Sequence, residues 1–280
     1  MKRLPLLLML LALVMFMLAG DVFSYMIDDN TKVLQKRSNN GGYGTTWTDV
    51  IGASSQFNIY GIDVSFSSGN ITFDLYTNFN HDGIYQLTPY AIYTYLADLA
   101  LDVDQNGTYE YGVVLLDHDK WTDGNLKYPT SLVDLDVGLY SVIDWYTSID
   151  FMNGYTNPMV YYGGRWDQSV PVIKIPNVAV KNGIPKSTAT VTSTDIPGDN
   201  PNYKWTATFN YSLIPGFADG LANGFDVFWG GMTCSNDAIS GSLAGPSIPE
   251  PATLVLMSFG LIGLVVIGRC KMKNSCRRKL

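Results

Sequence analysis

An all-β fold, a single β-sandwich or jelly-roll-like domain, is predicted for the body of this 280-residue chain, and three observations predict it. Apolar and polar residues alternate over short runs such as "NITFDLYT" (70–77), with almost no 3.6-residue periodicity. All the acids but Glu110 and Glu250 are Asp, which favours turns over helix interiors. The 18 Tyr, with many Thr, supply the aromatic and β-branched side chains that strands favour, and the 27 Gly suit tight turns.

The strand signals run in order along the chain. "FNIYGIDVSF" (57–66) and "NITFDLYT" (70–77) flank "SSG", a short hairpin connection. "LADLALDV" (96–103) and "TYEYGVVLL" (108–116) flank a turn at "DQNG", and a helical turn competes only at "AIYTYLADL" (91–99). "GLYSVIDWYTS" (138–148), "PVIKIPNVAV" (171–180), "STATVTS" (187–193), "YKWTATFNYSLI" (203–214) and "GFDVFWGG" (224–231) complete about nine strands. That number and spacing suit two packed sheets. The β domain is expected over 25–238, followed by a small-residue linker over 239–248.

Both ends read as targeting segments. "MKRLPLLLMLLALVMFMLAGDVFS" has a basic start and an apolar run, the pattern of a secretory signal peptide over 1–24. It implies the Sec machinery and signal peptidase as partners. Cleavage after Ser24 fits the small-residue rule, cleavage after Gly20 is the alternative, and a retained anchor is the competing reading. At the other end Ala252–Gly268 is 17 uncharged, mostly apolar residues, roughly 25 Å as a helix, the short end of what crosses a bilayer. Six cations follow it and would stay cytoplasmic, so the membrane is a partner of this segment. Setting aside those six with Lys2 and Arg3 leaves ten cations against 25 acids, about −15. Such a surface repels phosphates and excludes nucleic acid as a partner.

"SIPEPATL" precedes the apolar segment, and the order of Pro249-Glu250-Pro251, transmembrane helix 252–268 and basic tail closely resembles the PEP-CTERM sorting signal of Gram-negative bacteria. The resemblance covers 249–280 as the signal. It implies that exosortase, a membrane protease, reads and cleaves the Pro-Glu-Pro motif. It also implies that the body is cargo for the cell surface or for an exopolysaccharide (biofilm) matrix. "ADLALDVDQNGTYEYGVVL" and "GFDVFWGGMTCSNDAISG" are similar to segments of other exported PEP-CTERM domains.

The sharpest chemical pattern is "DVDQNGTYE". Asp102, Asp104 and Asn106 alternate before a Gly, with the Thr108 carbonyl and Glu110 beyond, an oxygen-rich set suited to calcium. Val113 stands where an EF-hand needs Glu, so a β-loop calcium site, completed by Asp117 or Asp119, competes with a plain hairpin turn of solvated Asp and a left-handed Asn106-Gly107. His81 and His118 each adjoin Asp, yet two His and the lone body thiol, Cys234, make no persuasive zinc site. Trp121 and Trp166, in loop contexts, are the candidates for stacking on sugar rings. No nucleophile elbow is present, and no catalytic residue is singled out. The expectation is therefore a non-enzymatic structural or adhesive surface protein, with a carbohydrate-binding module or weak polysaccharide hydrolase as the alternative.

Overall fold

The structure is a computed structural model that describes residues 23–29, 33–39, 42–48, 50, 53–67, 69–80, 84–86, 92–119, 133–147, 150, 177–198, 200–211, 223–231 and 237–244. All lie in one compact unit, Asp21–Pro246. The expected signal peptide up to residue 22, the Pro-Glu-Pro motif and the expected helix 252–268 lie outside the described residues. Among the described residues, no helix is long and apolar enough to cross a membrane.

Ten strands make one antiparallel sheet. They are β1 (Phe23–Asp28), β4 (Ile59–Ser67), β5 (Asn70–Thr77), β8 (Leu99–Asp102), β9 (Tyr111–Val114), β10 (Gly138–Thr147), β11 (Asn177–Asp195), β12 (Tyr203–Asn210), β13 (Phe225–Trp229) and β14 (Ile239–Leu243). Their order is β1-β4-β5-β12-β11-β10-β9-β8-β13-β14. Two separate ribbons pair β2 (Val33–Asn39) with β3 (Gly42–Thr48), and β6 (Ile84–Gln86) with β7 (Ile92–Thr94). A single helical turn, α1 (Ser54–Phe57), leads into β4 and buries Phe57.

The sheet folds over on itself because β11 is long enough to serve both halves. Its 19 residues pair with β10 over 177–188 and with β12 over 189–195. The predicted strands 171–180 and 187–193 are thus one element within the described span. Pro185, which argues for a break in the sequence, sits opposite Tyr140 at a register shift, where a missing N–H costs no regular ladder bond.

The two layers close on an aromatic core. Phe225 of β13 meets Phe66 of β4 and Phe73 of β5 edge-on, at centroid distances of 6.3 and 6.5 Å. Phe73 also stacks on Phe209 of β12 at 6.1 Å. Such pairs contribute about 0.5–1.5 kcal/mol each beyond burial. Trp229 is fully buried and donates its indole N–H to the Ala97 carbonyl at 3.0 Å.

The sheet comes close to shutting into a barrel. β1 and β14 stand at the two ends of the strand order, and a Cβ on Gly241 would lie 2.7 Å from Cγ2 of Ile27. Gly241 therefore leaves the notch that Ile27 fills. The alternation of strand directions makes these two edges antiparallel, so the chain enters at Phe23 and leaves after Leu243 at the same end. Ile239–Leu243, expected as the start of the linker, belongs to the sheet, and the β domain extends past residue 238. Phe23 and Ser24, expected within the signal peptide, pair with Phe66 and Ser65.

Candidate functional site

β8 and β9 are joined by residues 103–110, the "VDQNGTYE" loop. The strands pair as Leu99↔Val113, Ala100↔Gly112 and Leu101↔Tyr111, so the loop is a hairpin connection with no flanking helix. Inside it the Asp and Asn side chains replace absent backbone partners. Asp102, buried at the end of β8, accepts the N–H groups of Asn106 at 3.2 Å and Gly107 at 2.7 Å. Asp104 accepts from the Asn106 backbone at 3.2 Å and from its side-chain amide at 2.9 Å, and Asn106 Oδ1 accepts the Thr108 N–H at 2.7 Å. The left-handed positions are Gln105 (φ 56°) and Gly107 (φ 86°), so it is Gln105, not the expected Asn106, that precedes Gly107 into that region.

The loop brings together three of the five predicted ligands. Carboxylate oxygens of Asp102, Asp104 and Glu110 all lie within 4.8 Å of one another. That is the span one cation bridges at about 2.4 Å from each oxygen. Asn106 and Thr108 brace the turn through the bond from the Thr108 N–H to Asn106 Oδ1. Asp117 is spent elsewhere, accepting the Val137 N–H at 2.8 Å. A carboxylate the sequence analysis does not single out, Asp226 on β13, lies directly across from Asp102 and accepts from Gln105 Nε2 at 3.3 Å.

Glu110 carries the electrostatic tension of the loop. Oε2 accepts the Val103 N–H at 3.1 Å, whereas Oε1 is buried with no hydrogen-bond donor. Burial pushes its carboxyl up to about 7; the Val103 N–H opposes this, and the neighbouring Asp104 and Asp102 add to it. Asp104 is held below the usual carboxylate range, chiefly by a hydrogen bond from Glu110. Two carboxyls at this separation are reconciled by a shared proton or by a cation.

His118 forms a different constellation. It is fully buried, as is Asp98, and its Nε2 lies 3.1 Å from Asp98 Oδ2. Asp98 also accepts the Val180 N–H at 2.8 Å, so the pair ties β8 to β11 inside the fold. That is a bracing role for two enclosed side chains. His81, Trp121, Trp166 and Cys234 lie outside the described residues.

The β8–β9 loop lies at the end of the fold where the chain enters and leaves. Asp226 pairs with Asp102 on one side and with Ser242 on the other, one residue before the end of β14. Beyond β14, residues 247–271 match the family model for the PEP-CTERM protein-sorting motif. The chain carries a PEP-CTERM sorting motif at its C-terminus. This motif supports an exported protein that exosortase sorts, held transiently in the membrane by its C-terminal segment. The β domain that the PEP-CTERM motif follows matches no curated protein and no solved structure.

Proposed function

We propose that this protein is an exported surface or extracellular-matrix protein of a Gram-negative bacterium. Signal peptidase and the Sec machinery act on its N-terminal segment, and exosortase cleaves it at Pro249-Glu250-Pro251. The β domain is the cargo, with a structural or adhesive and non-enzymatic role in an exopolysaccharide or biofilm matrix. The observation that carries this reading is the match of residues 247–271 to the sorting motif. The non-enzymatic role is supported by the enclosure of Asp98 and His118, which leaves the one described Asp–His pair engaged in bracing strands.

A calcium ion belongs to this reading. Asp102, Asp104 and Glu110 supply a hard, oxygen-only set, and the buried, undonated Oε1 of Glu110 is the atom a divalent cation would satisfy. Bound there, calcium would offset most of the loop's negative charge and lock the end of β8 against β9; Asp226, across from Asp102, would feel the same charge.

The test of sorting uses the full chain in a host that contains exosortase. Mass spectrometry is expected to find the wild type outside the inner membrane and trimmed near Pro249–Pro251. A variant with Pro249, Glu250 and Pro251 all replaced by Ala is expected to keep residues 252–280 and to stay in the membrane fraction. An untrimmed, cytosolic wild-type chain overturns the proposal.

A further inference from the structure

The two layers of the fold differ in what covers their outer surfaces. On β8, β9 and β13 the outward side chains are mostly buried: Ala100 and Phe228 pack with Tyr109 and Trp145, and Val114 packs with Val180, Leu135 and Val142. On β4, β5, β12 and the second half of β11 the outward positions are polar and reach solvent. They line up across the strands. One row reads Ser65, Thr72, Thr208, Thr190, and the next Asp63, Asp74, Thr206, Thr192.

This is a regular grid of hydroxyls on the outer side of a curved sheet, about 4.8 Å apart across the strands and roughly 7 Å apart along them. The hydroxyls are held by one another: Thr72 Oγ1 and Thr208 Oγ1 are 2.9 Å apart, and Thr206 donates to Asp74. Thr is stiff at χ1, so the grid is ordered before any partner arrives. Lys204 Nζ, 3.3 Å from Asp74 Oδ2, offsets one of the two carboxylates of the face, and Asp63 is left with the Tyr76 hydroxyl. Elsewhere the body carries a large acidic excess. Tyr76, one row further on, offers an aromatic ring that donates its hydroxyl to Asp63 at 3.2 Å.

We propose that this hydroxyl face, formed by Ser65, Thr72, Thr190, Thr192, Thr206 and Thr208, is the docking surface for an uncharged polysaccharide lying across the strands. A neutral glycan presents a regular series of hydroxyls, each both donor and acceptor, as does the grid. Each contact is weak, but a repeating polymer meets many at once, and repetition turns weak contacts into retention. The acidic body repels anionic glycans and leaves the neutral ones. The inference rests on the matrix-protein reading and names the surface and ligand class through which the cargo would join its matrix.

The experiment uses the full-length chain in detergent, incubated with cellulose, dextran beads and alginate beads. Retention is expected on cellulose and dextran but not on alginate. Replacing Thr190, Thr192, Thr206 and Thr208 by Val keeps shape and β-branching but removes the hydroxyls, and is expected to cut retention at least tenfold with the circular dichroism spectrum unchanged. Should that variant misfold, the two exposed changes Thr190→Val and Thr192→Val alone are expected to cut retention several-fold. Absence of retention on both neutral glucans, preference for alginate, or retention indifferent to the Val changes in a folded variant overturns the proposal. C-terminal trimming is followed in the same strain. Trimming without glucan retention defeats this inference and leaves the sorting proposal standing, and retention without trimming does the reverse.

Discussion

His118 Nε2 lies 3.1 Å from Asp98 Oδ2 with both side chains fully buried, and the Asp98 oxygen that meets the imidazole also accepts the Val180 N–H. Burial alone lowers the imidazole pKa, but the charge and hydrogen bond of Asp98, the Val133 carbonyl and the charge of Asp134 together hold it above its ordinary value. A group whose pKa is raised by folding stabilises the fold fully below its unfolded value, near 6.5, and loses that contribution as pH rises through the folded value. The wild type is therefore expected to lose thermal stability as pH climbs above neutrality. His118→Gln leaves Asp98 buried without its cationic partner and is expected to cost about 3–5 kcal/mol. Melting curves from pH 5 to 9 check both, and the variant is expected to lack the His-linked slope.

Glu110 gives a second pH dependence with an internal control. Its carboxyl titrates at about 7 in the fold against about 4.5 in the free chain, so without calcium the fold loses stability between those values. Glu110→Gln mimics the protonated form and is expected to be the more stable protein at pH 8 in chelator. Calcium is expected to raise the wild-type melting temperature, more at pH 8 than at pH 6 because the ion competes with the proton. Asp104→Asn and Glu110→Gln are both expected to abolish that rise. A melting temperature blind to calcium at pH 8 removes the metal from the proposed function.

Gly112 shows how the outer surface of the second layer is packed. A Cβ there would sit 2.8 Å from Cη2 of Trp145 and would run into Val180, so the ring lies over β9 only because position 112 has no side chain. Trp145 is fixed further by its indole N–H, which donates to the Tyr109 carbonyl at 3.0 Å. Gly112→Ala is expected to destabilise the fold by about 1–3 kcal/mol. Urea unfolding monitored by Trp fluorescence measures it.

These relationships mark what the sequence could and could not disclose. β4, β5 and β12 were legible because one face is core and the other solvent, which writes alternation into "NITFDLYT" and "KWTATFN". β8, β9 and β13 are buried on both faces, so "LALD" and "YGVV" read as apolar runs with uncertain ends. β14, "ISGSL", was hidden because its central Gly241 is set by the side chain of Ile27, which no local pattern reveals. The same holds at the candidate metal loop. Asp102, Asp104 and Glu110 announce themselves through spacing, whereas Asp226 is brought opposite Asp102 from far along the chain by strand pairing. Spacing likewise does not reveal that the Asn106 side-chain oxygen accepts the Thr108 N–H.

The start of β1 bears on where the exported chain begins. Cleavage after Ser24 would remove the pairs Phe23↔Phe66 and Ser24↔Ser65 and leave four residues of the edge strand. Tyr25, then terminal, packs edge-on against Phe66 at 6.3 Å and would place a charged amine beside an apolar contact. Burying an unpaired charge is costly, and a frayed edge invites pairing with other chains. Cleavage after Gly20, the alternative compatible with the small-residue rule, keeps the whole strand and leaves two residues before it. N-terminal sequencing of the exported protein is therefore expected to read Asp21-Val22-Phe23. A chain beginning at Tyr25 that melts at the same temperature as one beginning at Asp21 would mean that the first two pairs of β1 contribute nothing to the fold.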